Sequence, residues 1–101
     1  MAMNTSLMSA EELAAELGAR IRRERLRQNL SQGTLAERAG VGRQTVFRME
    51  SGGNSTLANF LAVLSALRRA GDLEPLLEPP LAETLDQFVA NSAPTRQRGS
   101  R

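Results

Sequence analysis

The chain has 101 residues and is 41% hydrophobic, which allows one small domain with a modest core, plus tails. It has no cysteine and no histidine, so disulfides, thiolate metal sites, the usual general base and the commonest metal ligand are all missing. The net charge of +2 hides an asymmetry. Residues 20–48 carry eight Arg against two Glu, residues 71–90 carry five acids and no base, and the last eleven residues carry three Arg. Every basic residue is Arg. No apolar run approaches the roughly 18 residues needed to span a bilayer. The opening MAMNTSLMSAEE lacks the basic-then-apolar layout of a signal peptide. The expectation is a cytoplasmic protein without membrane contact.

In chain order, residues 1–8 read as a loose N-terminus. Ser9-Ala10-Glu11-Glu12 has the form of a capping box opening a first helix that runs to about residue 28. Leu13, Leu17 and Ile21 recur every fourth residue and are expected to form its buried stripe. Asn29 suits a left-handed helix end. A second helix is predicted from Gln32 to Ala39, capped by Ser31 and ended by Gly40, which supplies the positive φ wanted there. A third is predicted from Arg43 to Glu50. Leu35, Ala36, Ala39, Val41, Val46 and Met49 fall where two crossed helices share a core, leaving Arg43, Gln44, Phe47 and Arg48 outward. Residues 51–55 form a loop of small residues, with a cap at Ser55 or Thr56. A fourth helix is expected over residues 56–69, with Leu57, Phe60, Leu61, Leu64 and Leu67 in the core and Gly71 as its end.

Beyond it, residues 72–77 can form a short helix with Asp72 as cap and Pro75 in its first turn. Residues 81–91 place Leu81, Leu85, Phe88 and Val89 on one face. That stretch is open to three readings: a further core helix, a dimerisation or partner-binding element, or disorder. Residues 92–101 are polar and basic and are expected to be disordered. The organisation is thus a loose end over 1–8, a helical domain over 9–71, an amphipathic extension over 72–91 and a basic tail over 92–101.

Two short helices joined by a tight turn, with Arg and Gln on the outward face of the second, read as a helix-turn-helix. Arg and Gln are suited to bidentate bonding of guanine and adenine edges in the major groove. The pattern is also more specific than a generic helix pair. LSQGTLAERAGVGRQTVFRMESG resembles the lambdoid phage repressor and Cro family, the XRE-type regulators. It matches at Leu30, Ser31, Gln32, Leu35, Ala36, Gly40, Val41, Thr45, Glu50 and Gly52, and the resemblance covers residues 17–67. Two positions depart from the family. Gly42 stands where a Ser or Thr cap is usual, and Phe47 stands where a small polar residue is usual. The resemblance implies an all-α, five-helix lambda-repressor-like domain with a short C-terminal extension.

It also implies roles. Arg43, Gln44 and Arg48 occupy the positions that reach base edges. Gln32 occupies that of a residue bonding a phosphate and bracing the recognition helix. Thr45 is expected on a phosphate, and Asn54 and Ser55 are candidates for a phosphate at the start of the next helix. Phe47 has three readings: on a thymine methyl, against the sugar-phosphate backbone, or folded back onto the protein. Arg25 and Glu50 correspond to a structural pair in the family, and a planar guanidinium is well shaped to clamp a carboxylate. Arg22, Arg23 and Arg27 are weaker phosphate candidates.

No catalytic, metal or cofactor constellation is legible, so an enzyme is not expected. The partners implied are double-stranded DNA, at the nucleoid, and a second copy of the chain, because one helix reads too few base pairs. STLANFLAVLSAL with its acidic, Leu-rich continuation looks like the HipB-like antitoxins, which repress their own operon and bind a HipA-type kinase toxin. The alternatives are a stand-alone repressor of prophage or restriction-modification control type, and a protein-interaction adaptor without DNA binding.

Overall fold

A computed structural model describes residues 5–91, apart from the side chains of residues 83, 84, 87 and 91. The described residues are helical, without strands: α1 (Ala10–Arg27), α2 (Gln32–Ala39), α3 (Arg43–Glu50), α4 (Leu57–Ala66) and α5 (Leu81–Asn91). Two compact units divide the chain, Met1–Gly71 and Asp72–Arg101. Thr5–Leu7, expected within the loose end, form one exposed 3-10 turn. The expected disorder of residues 92–101 falls outside the described residues.

In the first unit α2 packs on α3 and α4, α1 on α3, and α3 on α4. Ile21, Leu35, Ala36, Val46, Met49, Val63 and Leu67 form the buried core, so each of the four helices contributes. Leu30, Ala39, Val41, Phe60 and Ala66 pack around it. Ser9 caps α1 as a full capping box: its hydroxyl accepts from the Glu12 amide at 3.1 Å, and its amide donates to Glu12 Oε1 at 2.9 Å.

The buried stripe of α1 differs from expectation. Leu17 is 43% exposed, and the buried positions are Gly18, Ile21 and Arg25. The reason is close approach. A Cβ on Gly18 would collide with the Met49 carbonyl oxygen, so the backbones of α1 and α3 meet where only glycine fits. That contact puts Gly18 and Ile21 in the core and leaves Leu17 outside it. The core is carried by Val63 in α4 and by Leu67 at its C-cap, while Leu57 is 71% exposed. Leu57 is the first residue of the helix, beyond the reach of α2 and α3.

Four helices end by the same device. Asn29, Gly40, Gly52 and Arg68 take left-handed φ values of 60, 72, 84 and 62°. In each case the next amide reaches back across the turn: Leu30 to Arg25, Val41 to Ala36, Gly53 to Arg48 and Arg69 to Leu64. The fourth helix therefore stops at Ala66, short of the expected residue 69, and Gly71 does not end it. A 3-10 turn over Ala70–Leu73 stands where a short helix over 72–77 was expected. Pro75 has no amide to donate, and only single-turn bonds, Leu76 to Leu73 and Glu78 to Pro75, follow. In the second unit, α5 forms over the stretch that the sequence left open, and Leu81, Leu85, Phe88 and Val89 are 74, 54, 70 and 68% exposed.

Two polar clusters fasten the first unit. Glu24 accepts from Arg27, Gln28 and Arg69, while Gln28 also donates to the Leu67 carbonyl at 2.9 Å. The hydrogen bonds from Arg27 and Gln28 pull the Glu24 carboxyl down to about 2. This cluster ties the C-terminal ends of α1 and α4. The second cluster is buried. Arg25 Nε donates to Glu50 Oε2 at 2.6 Å and Nη2 to Oε1 at 2.9 Å, while Nη1 donates to the Leu30 carbonyl at 2.8 Å. Gln32 Nε2 adds a bond to Glu50 Oε1 at 3.1 Å. The two charged side chains are only 8% and 3% exposed. Bonding to Glu50 raises the Arg25 guanidinium above its ordinary value. The C-terminal residue of α3 is thus clamped to α1 and to the first residue of α2, with Arg25 itself tied to the α1–α2 turn.

Two outcomes follow for unfolding measured in denaturant. Arg25→Met leaves a carboxylate buried without its cation and costs about 3–5 kcal/mol, whereas the double variant Arg25→Met/Glu50→Met recovers much of that loss. A double variant no more stable than either single one would contradict the account. Arg68→Gly removes the cost of a left-handed non-glycine residue and raises stability by about 0.5–1 kcal/mol; an unchanged or lowered midpoint would contradict it.

Candidate nucleic-acid interface

The α3 helix is aimed by its buried side. Val46 is fully buried and Met49 is 5% exposed. At 100° per residue this turns Arg43, Gln44, Phe47 and Arg48 together onto the opposite side, and all four are exposed. The N-terminal end is loosely made. Gly42 supplies no side-chain cap, and its carbonyl accepts from the Thr45 and Val46 amides at 3.0 and 3.3 Å. The first-turn amides of α3 therefore lack the intramolecular acceptor that a Ser or Thr would provide. Placement of α3 falls to its core side chains and to the Glu50 clamp at its other end.

The candidate residues gather into two shallow depressions. Gln32, Arg43, Gln44 and Phe47 line the first, which joins the start of α2 to the start of α3. Thr45, Arg48, Asn54 and Ser55 line the second, with Thr56 and Asn59. Gln32 belongs to both the surface and the interior, since its amide nitrogen is held by Glu50. Phe47 is 54% exposed and lines the first depression. Arg25 and Glu50, directly paired, lie behind the surface rather than on it.

Asn59 is a residue that sequence reasoning missed. Its amide donates to the Thr56 hydroxyl at 3.0 Å, the capping bond of α4, and it joins the second depression. The signal was present: a polar residue three positions after a Thr cap, within an otherwise apolar stretch. Gly18 was missed too, although a glycine inside a helical pattern points to close packing.

Electrostatics separate the arginines. Arg20 and Arg23 pair with Glu16, Arg27 and Arg69 with Glu24, and Arg25 with Glu50. Among the described residues no such ion pair holds Arg22, Arg38, Arg43 or Arg48. Charge on α3 is therefore uncompensated where the helix faces outward, as an anionic ligand requires. The weaker candidates Arg23 and Arg27 are engaged with carboxylates on their own helix. Among the described residues no cluster of acidic, His or Cys side chains has the makings of a metal site. No described helix is long and apolar enough to cross a membrane.

Comparison with known proteins agrees with this geometry. The helix-turn-helix family model matches residues 21–72, which takes in the end of α1, all of α2 to α4 and most of the 3-10 turn after α4. No curated protein matches the chain. The match covers the core and both depressions, and its domain type is a DNA-binding regulatory one rather than a catalytic one. The chain belongs to the XRE-type helix-turn-helix family, as a DNA-binding transcription regulator whose partner is double-stranded DNA.

Proposed function

We propose that the protein is a sequence-specific repressor that binds an inverted-repeat operator as a homodimer, with α3 in the major groove. Arg43 and Arg48 bond guanine edges, and Gln44 bonds an adenine edge. Gln32, Thr45, Asn54 and Ser55 bond phosphates on either side, fixing the register of the helix. The observation that carries this reading is the outward face of α3, where two arginines without ion pairs stand beside Gln44 and are flanked by two polar depressions. A second copy supplies a second recognition helix, with half-sites about 34 Å apart or a multiple of that distance.

Selection of bound duplexes from a random pool at one stated salt concentration tests this. The expected product is an inverted repeat of fixed spacing. On that duplex, Arg48→Ala relaxes preference at one base position per half-site, at a cost of about 1–3 kcal/mol in discrimination. Uniform weakening on every sequence would make Arg48 a phosphate contact instead. Failure of any duplex to bind at low salt would leave the adaptor reading.

A second reading adds a protein partner, making the chain an autorepressing HipB-like antitoxin of a type II toxin–antitoxin module. One observation favours it: α5 carries four exposed apolar side chains within a strongly acidic stretch. A HipA-type kinase toxin covering that face would bury them. Co-expression with a kinase-like protein encoded beside this chain is expected to yield a complex that Leu85→Asp/Phe88→Asp disrupts, with DNA binding intact. The absence of a complex would leave a stand-alone repressor.

A further inference from the structure

We propose that Phe47 is a methyl reader, its ring packing against the C5-methyl group of one thymine per half-site in the major groove. The inference rests on the reading of α3 as the base-contacting helix and adds a determinant of specificity that polar readout does not supply.

Phe47 is 54% exposed, while the adjacent Val46 is fully buried and Met49 is 5% exposed. The ring therefore lies on the outer side of α3, away from the residues that enter the core. The backbone at this position is also fixed, because the Phe47 carbonyl accepts from the Ser51 amide at 3.1 Å and from Ser51 Oγ at 2.8 Å. The ring shares its depression with Gln32, Arg43 and Gln44, three side chains rich in hydrogen-bond donors. An apolar ring exposed to water gains by being covered with another apolar group. Of the groups that base edges present in the major groove, one is apolar, the thymine methyl. Arg43 and Gln44 satisfy polar edges, and the ring between Arg43 and Arg48 on the helix surface meets the remaining chemistry. Phe also has only two side-chain torsions to order, so a fixed backbone leaves a well-placed contact surface.

A consequence concerns modified DNA. Cytosine methylated at C5 carries the same group at the same place, so this chain senses cytosine C5 methylation at that step.

The test uses the full chain and the duplex it enriches from a random pool. Each thymine is replaced in turn by deoxyuridine, which removes only the methyl. Wild type is expected to lose about fourfold in affinity at one position per half-site, the worth of one buried methyl-sized group. Phe47→Ala, checked for native helicity, is expected to bind the thymine and uracil duplexes equally at that position. With cytosine placed there, C5 methylation is expected to raise wild-type affinity by a similar factor and to leave Phe47→Ala unmoved. Indifference of wild type to every uracil overturns the proposal and places the ring on the sugar-phosphate backbone. An equal loss in wild type and variant overturns it as well, because the methyl then acts through the shape of the duplex. Both results leave the DNA-binding reading standing. Enrichment of no duplex removes that reading and this inference with it.

Discussion

The buried pair of Arg25 and Glu50 is the constraint on which the interface depends. Bringing a guanidinium and a carboxylate out of water costs several kcal/mol each, and only good geometry and further hydrogen bonds offset that. Here both carboxylate oxygens are used by Arg25, the third guanidinium nitrogen is taken up by the Leu30 carbonyl, and Gln32 adds a fourth contact. Rather than adding stability over an apolar substitute, the cluster fixes position. A helix of eight residues is too short to hold its own orientation. Anchoring its last residue to α1 and to the start of α2 sets the angle at which its outer face leaves the protein.

The weak start of α3 makes the same point from the other end. Gly42 leaves first-turn amides without a side-chain partner, so this end of the helix contributes little to holding itself in place. The exposed end of α3 is the loosely capped one, and the clamped end is buried. Val46 and Met49 are buried and Glu50 is clamped, so α3 is held from its C-terminal half. Gly18 belongs to the same design, since α1 approaches the end of α3 backbone to backbone and leaves that end little freedom.

Charge is sorted in a related way. Glutamates at 16 and 24 engage four of the arginines near them, and Glu50 engages a fifth. Arg43 and Arg48 lie beyond the reach of these carboxylates. An overall charge of +2 therefore says little about the surface that meets phosphate. The acidic block after Gly71 lies in a separate unit.

Much of this was legible in the chain as a string of residues, and for a local reason. Caps, left-handed helix ends and 3.6-residue periodicity act within a few positions, so Ser9, Ser31, Gly40 and the limits of α2 and α3 could be read directly. The match of motif residues to a known family carried the outward face of α3 and the partnership of Arg25 with Glu50. What could not be read depends on neighbours distant in sequence. Leu17 yields the core to Gly18 because α3 passes too close for a side chain. Arg68 ends α4 although no Gly or Asn marks it, because the turn bonds and the buried Leu67 outweigh the cost of its φ. Asn59 joins Arg48 only because α4 begins beside α3. Local chemistry thus chose the elements and their ends; packing between elements chose which faces were buried, and so which side chains were left on the surface.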